Sequence, residues 1–245
     1  MKALLVRIGV DQAYGRWNAP VNEVGQFVYV PIPEKIDTLF HPGLERRYTE
    51  VQPALERFCA DNRCDLCSEL KFPKELLRHP MHLDPDLEQL TYGDDGGRRG
   101  AGMVGMGAGD LLVFYAGLRP IHRCEHKLIY ALLALYVVQE VVPVQRMPER
   151  RWGENAHTRK AKWGKTDIVV RAKPGISGRL ERCIPIGEKR SGAYRVRQDV
   201  LDEWGGLRVK DGFIQRSAVP PSFTDPKRFY RWFEQQNVPL MRANN

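Results

Sequence analysis

The chain is 245 residues long, 42% hydrophobic and 28% charged, which is enough apolar material for a packed core and argues against a disordered chain. With 38 basic and 30 acidic side chains it carries a formal charge of +8, unevenly spread: residues 1–145 hold 16 basic and 19 acidic groups, residues 146–245 hold 22 and 11. Most of the excess lies in 146–197, where 15 basic residues face 5 acidic ones, a field that attracts phosphate and releases counterions on binding. Nucleic acid or a nucleotide is the expected partner, against the alternative of a solvated basic face.

No apolar run approaches the roughly 18 residues of a membrane-spanning helix. Only Ala3 to Val6 separate Lys2 from Arg7, short of a signal-peptide core. A cytoplasmic protein without membrane contact is expected, and five cysteines, an odd number, argue against a disulfide framework.

In chain order, Lys2 to Val10 reads as a strand, apolar enough to be central. The loop Asp11 to Asn22 follows, where Asp11 and Asn18 are binding candidates or else close Asx turns. Phe27 to Ile32 reads as a second strand that Pro31 and Pro33 place at an edge or bring to an end, and Thr49 to Asn62 places Val51, Leu55, Phe58 and Cys59 at helical spacing. Cys59, Cys64 and Cys67 then follow C-x4-C-x2-C, close to an iron–sulfur run that needs a fourth ligand such as Cys124. Cys64 and Cys67 with His79 and His82 would instead suit zinc. The alternative is a core Cys59 and a reduced pair in a loop, so the cofactor stays open between none, zinc and an iron–sulfur cluster.

Tyr92 leads into the glycine-rich stretch Gly93 to Gly100, which lets backbone approach a ligand and offers Arg98 to phosphate. It lacks the Lys-Ser/Thr of a P-loop and the spacing of a dinucleotide fingerprint. Asp94 and Asp95 either make its turn or serve as a base or ion ligand. After a Gly109-Asp110 corner, Leu111 to Tyr115 and then Leu128 to Val138 read as a β-hairpin around a basic, exposed connection. Tyr115 and Arg119 at the strand ends could meet a flat polar ligand.

Pro143 to Arg151 reads as a linker, so a single domain over 1–245 has a candidate sub-boundary at 143–151 ahead of its basic part, 146–245. Glu154 to Arg159 then concentrates a carboxylate, Asn155, His157 and Arg159, groups able to read a base edge or move a proton. Further strands are expected at Asp167 to Ala172, Ile184 to Arg190 and Tyr194 to Val196, a short helix at Asp199 to Trp204 with Asp199 as cap, and a terminal helix at Lys227 to Gln236. Strands outnumber helices without regular alternation, so an α+β fold is expected, with a mixed or antiparallel sheet and flanking helices.

Gly109-Asp110 with Leu-Leu-Val-Phe-Tyr resembles a strand of EVE and ASCH domains, PUA-like barrels that hold modified bases. That resemblance implies a β-barrel portion around Leu111 to Val142 and Asp167 to Ile186. Over its length the chain resembles the Nmad3 family, nucleotide modification associated domain 3. The stretches that carry this are Val6 to Asp11, Trp17 to Pro20, Phe27 to Glu34, Thr91 to Asp94, Glu154 to His157, Ser177 to Glu188, and the closing Arg242-Ala243-Asn244-Asn245. The resemblance implies a part in nucleotide or DNA modification and fixes no reaction.

Two function classes follow. In one, an enzyme of nucleotide modification, His157, Asp94 or Glu188 acts as general acid or base, and Arg179 and Arg190 stabilise negative charge. In the other, a non-catalytic module binds a modified base or nucleic acid. The nucleotide-binding candidates in either are Asn18, Tyr92, Arg98, Tyr115, Arg119, Asn155, Arg159, Arg179 and Arg190, with Cys59, Cys64 and Cys67 as metal candidates.

Overall fold

Successive residues from Leu111 point to opposite faces of one sheet, and both faces are buried. Leu112, Phe114, Ala116 and Leu118 enter one hydrophobic cluster, while Leu111, Val113 and Tyr115 enter a second. A strand covered on both sides must be apolar throughout, which is why this stretch shows no polar alternation.

The computed structural model describes residues 1–62, 70–97, 100–215 and 219–245. In chain order the elements are β1 (Ala3–Arg7), β2 (Pro20–Val21), β3 (Ile32–Pro33), α1 (Gln52–Asn62), α2 (Lys74–Leu77), β4 (Met81–His82), β5 (Thr91–Asp94), α3 (Ala101–Val104), β6 (Leu111–Pro120), β7 (Ile129–Pro143), α4 (Ala156–Arg159), β8 (Ile168–Ala172), β9 (Gly178–Pro185), β10 (Gly187–Arg190), β11 (Ala193–Val196), α5 (Gln198–Trp204), α6 (Pro226–Gln235) and β12 (Leu240–Met241). The fold is α+β around a mixed sheet whose main path runs β1-β6-β7-β8-β5, with β1 parallel to β6 and the other neighbours on this path antiparallel.

The 15-residue β7 is the axis of this sheet. One edge pairs with β6; on the other, Ala131–Leu135 pair with β9 and Val138–Pro143 pair with β8. Irregularities at Leu132/Ala134 and Val138/Glu140 bend the strand between its two partners. Both ends of the path are occupied by loops: Leu5 N–H donates to Pro221 O beside β1, and Asp86 and Thr91 bond each other's backbone beside β5. Covered edges of this kind need no closure. No closed barrel forms among the described residues, in contrast to the expected PUA-like portion.

Several local expectations shift. The first strand stops at Arg7, shortly before Gly9 at φ +76°. Phe27 to Val30 is buried without forming a strand; the backbone of Val28 and Val30 bonds Pro20 O and Val10 N–H, and Tyr29 is partnered by Asn245, whose side-chain amide exchanges bonds with its N–H and C=O at 2.7 and 2.9 Å. Only β3 remains of the second strand. Helix α5 starts at Gln198 with Arg197 rather than Asp199 at its cap, and ends as expected where Gly205 turns left-handed. Helix α6 is capped by Asp225, which accepts from Arg228 N–H at 3.0 Å, and buries Phe229 and Phe233 in the second cluster. The stretch read as a linker contains the end of β7 and two 3-10 turns. No helix among the described residues is long and apolar enough to cross a membrane.

Candidate functional site

The end of β1 and the loop that follows line a cavity of about 710 Å3 with Arg7, Asp11 and Tyr14. Its lining also includes His82 on β4, Asp84 two residues on, Tyr92 to Asp94 on β5 with the following Asp95, and His157 on α4. Leu83 is buried, and its neighbours His82 and Asp84 both reach the cavity, as alternate residues of an extended segment do.

A single side chain fixes the relation between two of these elements. Asn155, with no exposed surface, donates from Nδ2 to Asp84 Oδ1 at 2.8 Å, while its Oδ1 accepts the His157 N–H at 2.9 Å as the N-cap of α4. Gly93 N–H gives Asp84 Oδ1 a second bond at 2.8 Å. Gly93 itself has to be glycine, because a Cβ there would sit 2.8 Å from His157 Cγ and closer still to Asn155 Oδ1.

His82 Nδ1 bonds Glu34 Oε2 at 2.8 Å, and the Lys160 ammonium meets the same carboxylate oxygen at 2.6 Å. The other ring nitrogen, Nε2, lies 3.8 Å from Asp84 Oδ2. His157 Nδ1 stands 3.8 Å from Asp167 Oδ2, and the two imidazoles meet edge to face with centroids 5.2 Å apart. One potential ligand atom from each of His82, Asp84 and His157 lies within 4.8 Å of the others. Two imidazoles and a carboxylate form a donor set that could hold a divalent ion.

Burial dominates the electrostatics. It pushes the Asp84 carboxyl up to about 7, against His157 and the bonds from Asn155 and Gly93, and it pushes His82 down to about 4. Burial also works against ionisation of Glu34, but the His82 bond and Lys160 outweigh it and hold that carboxyl well below its ordinary range. The same balance, with His157 and the Gly164 amide as the opposing groups, holds Asp167 low. Near neutral pH His82 is therefore a neutral imidazole donating to an anionic Glu34, and Asp84 can exchange a proton.

Of the residues singled out in the sequence, the cavity gathers Asp11, His82, Tyr92, Asp94, Asp95 and His157, and Asn155 bonds its lining residue Asp84. The other described candidates lie outside its lining. Asn18 is buried and donates to Gly117 O at 2.8 Å; Tyr115 is buried and its hydroxyl donates to Ile214 O at 2.8 Å. Arg119 sits on β6 beside β2. Arg159 is buried in an ion pair with Asp86 at 2.6 Å, and Arg179 is buried with its guanidinium 5.1 Å from the Phe27 ring. Glu188 and Arg190 pair with each other on β10, at 3.0 Å. Cys59 lies on α1 and Cys124 in the exposed β6–β7 connection, whereas Cys64, Cys67 and Arg98 lie outside the described residues. His79 and His82 are both bonded to Glu34, through its backbone oxygen and its carboxylate.

The sequence reading missed Asp84, Glu34 and Asp167, and it considered His82 only beside the cysteines. The available signal was His82-Leu83-Asp84, two ligand-type residues on one side of an extended segment.

The family model for nucleotide modification associated domain 3 (Nmad3) matches residues 2–217. No curated protein and no solved structure gives a match to the chain.

Proposed function

The chain belongs to the nucleotide modification associated domain 3 family, and from this premise we propose that it is a nucleotide- or nucleobase-modifying enzyme whose reactive centre is the group His82, Asp84 and His157. The observation that carries the reading is the convergence of these three side chains at one wall of a cavity large enough for a nucleotide. The exposed ring of Tyr14, which lines the same cavity, offers a stacking surface for a bound base. The basic 146–197 segment supplies attraction for phosphate at longer range.

The test is native mass spectrometry of the full chain with a panel of ribo- and deoxyribonucleoside monophosphates and a single-stranded oligonucleotide. The expected result is a retained nucleotide whose mass changes on incubation, with His157→Ala abolishing the change. A nucleotide retained but never altered, by wild type and variant alike, would instead make the chain a binding module using the same walls. No retention at all would remove the reading.

A further inference from the structure

We infer that His82, Asp84 and His157 form a binding site for one divalent first-row transition-metal ion, with open coordination positions facing the cavity. The inference deepens the proposed function by naming the ion of the same site. It rests on the arrangement around the three side chains as well as on their proximity.

In histidine metal sites the ring nitrogen that does not touch the ion is usually held by a carboxylate, which fixes tautomer and ring direction and raises the basicity of the coordinating nitrogen. His82 has such a carboxylate behind it: its Nδ1 is held by Glu34 at 2.8 Å, which leaves Nε2 directed at Asp84, whereas His157 Nδ1 is buried and lies 3.8 Å from Asp167, near that carboxylate but beyond hydrogen-bond distance. The carboxylates are secured in turn: Glu34 by Lys160 at 2.6 Å, Asp167 by the Gly164 N–H at 2.8 Å. Asp84 follows the same pattern, since Oδ1 takes the bonds from Asn155 and Gly93 and Oδ2 is the oxygen nearer His82.

Ligand atoms about 2.1 Å from a shared ion lie about 3 to 3.5 Å from one another. The three donors, within 4.8 Å, need to close by about an ångström, which small side-chain rotations supply. Two imidazoles exclude the hard ions Mg2+ and Ca2+ as the preferred occupants and suit Fe2+, Co2+, Ni2+ or Zn2+. Three protein ligands leave room for water or a substrate oxygen.

The experiment uses Co2+ as the probe, added to chelator-treated full-length protein and followed by calorimetry and visible absorption, without nucleotide. The expected result is one ion per chain with nitrogen and oxygen ligation. Binding should be lost in His82→Gln with His157→Gln, and weakened about 10- to 100-fold in Glu34→Gln, which removes no ligand. Circular dichroism checks that each variant is folded. A Cys59→Ser, Cys64→Ser, Cys67→Ser variant should bind Co2+ as the wild type does. The inference is overturned by absence of binding at millimolar Co2+, by binding that survives the double histidine variant, or by a thiolate-to-cobalt band that disappears in the cysteine variant. Its failure leaves nucleotide retention to be decided separately, because no nucleotide takes part.

Discussion

Asn155 Nδ2 donates to Asp84 Oδ1 at 2.8 Å, across 71 residues of sequence and in full burial. Because the same side chain caps α4, the direction of Asp84 and the start of the helix bearing His157 are set together. Asn155→Ala removes the cap and leaves Asp84 short of a donor, so a loss of about 2–4 kcal/mol is expected in urea denaturation. A loss below about 0.5 kcal/mol would show that the bond does not organise the site.

Gly93→Ala should damage the site by overpacking. The added methyl meets His157 and Asn155 at once, and about 1–3 kcal/mol is expected, together with loss of nucleotide retention. Gly107→Ala is the control, since a Cβ there meets nothing within 4 Å. Equal melting temperatures for the two variants would contradict the packing described.

Arg159 and Asp86 form a buried pair, with side-chain exposures of 5% and 3%. Removing one partner strands the other, so Arg159→Ala should cost about 3–5 kcal/mol. Arg190→Ala, which breaks only surface pairs on β10, should leave the denaturation midpoint unchanged. A mild Arg159→Ala accompanied by weaker nucleotide binding would place that guanidinium at the ligand instead.

Cys183 is buried, and burial pushes its thiol up to about 12 from an ordinary value of 9.0. The neutral thiol is the form the fold favours, so its contribution to stability is complete below about pH 9 and is lost as pH rises toward 12. At pH 8, iodoacetamide followed by peptide mapping should label exposed Cys124 and spare Cys183 until the chain is unfolded. Equal labelling of both in the native protein would refute the assignment.

The concentration of basic residues in 146–197 predicts a steep loss of oligonucleotide affinity with salt. Titrations between 50 and 200 mM NaCl would read this directly. Affinity flat across that range would confine binding to the cavity and a single nucleotide.

The sequence by itself determined the buried strands, because runs such as Leu111 to Tyr115 and Ala131 to Val138 are apolar on both faces and only a doubly covered strand accommodates them. It determined the paired β6 and β7, α1, α6 and the charge asymmetry, all of which are local in the chain, and it singled out His157 and Asn155 from a dense polar stretch. Only the tertiary structure decided what these residues face. The pairing of β5 with β8 and the reach of Asn155 bring His157 beside His82 and Asp84, and the fold turns Tyr115, Arg159 and Arg179 inward although their residue types are equally at home on a binding surface. Periodicity records whether a side chain is buried, whereas convergence depends on which distant segments share a hydrogen bond, and no local pattern carries that information.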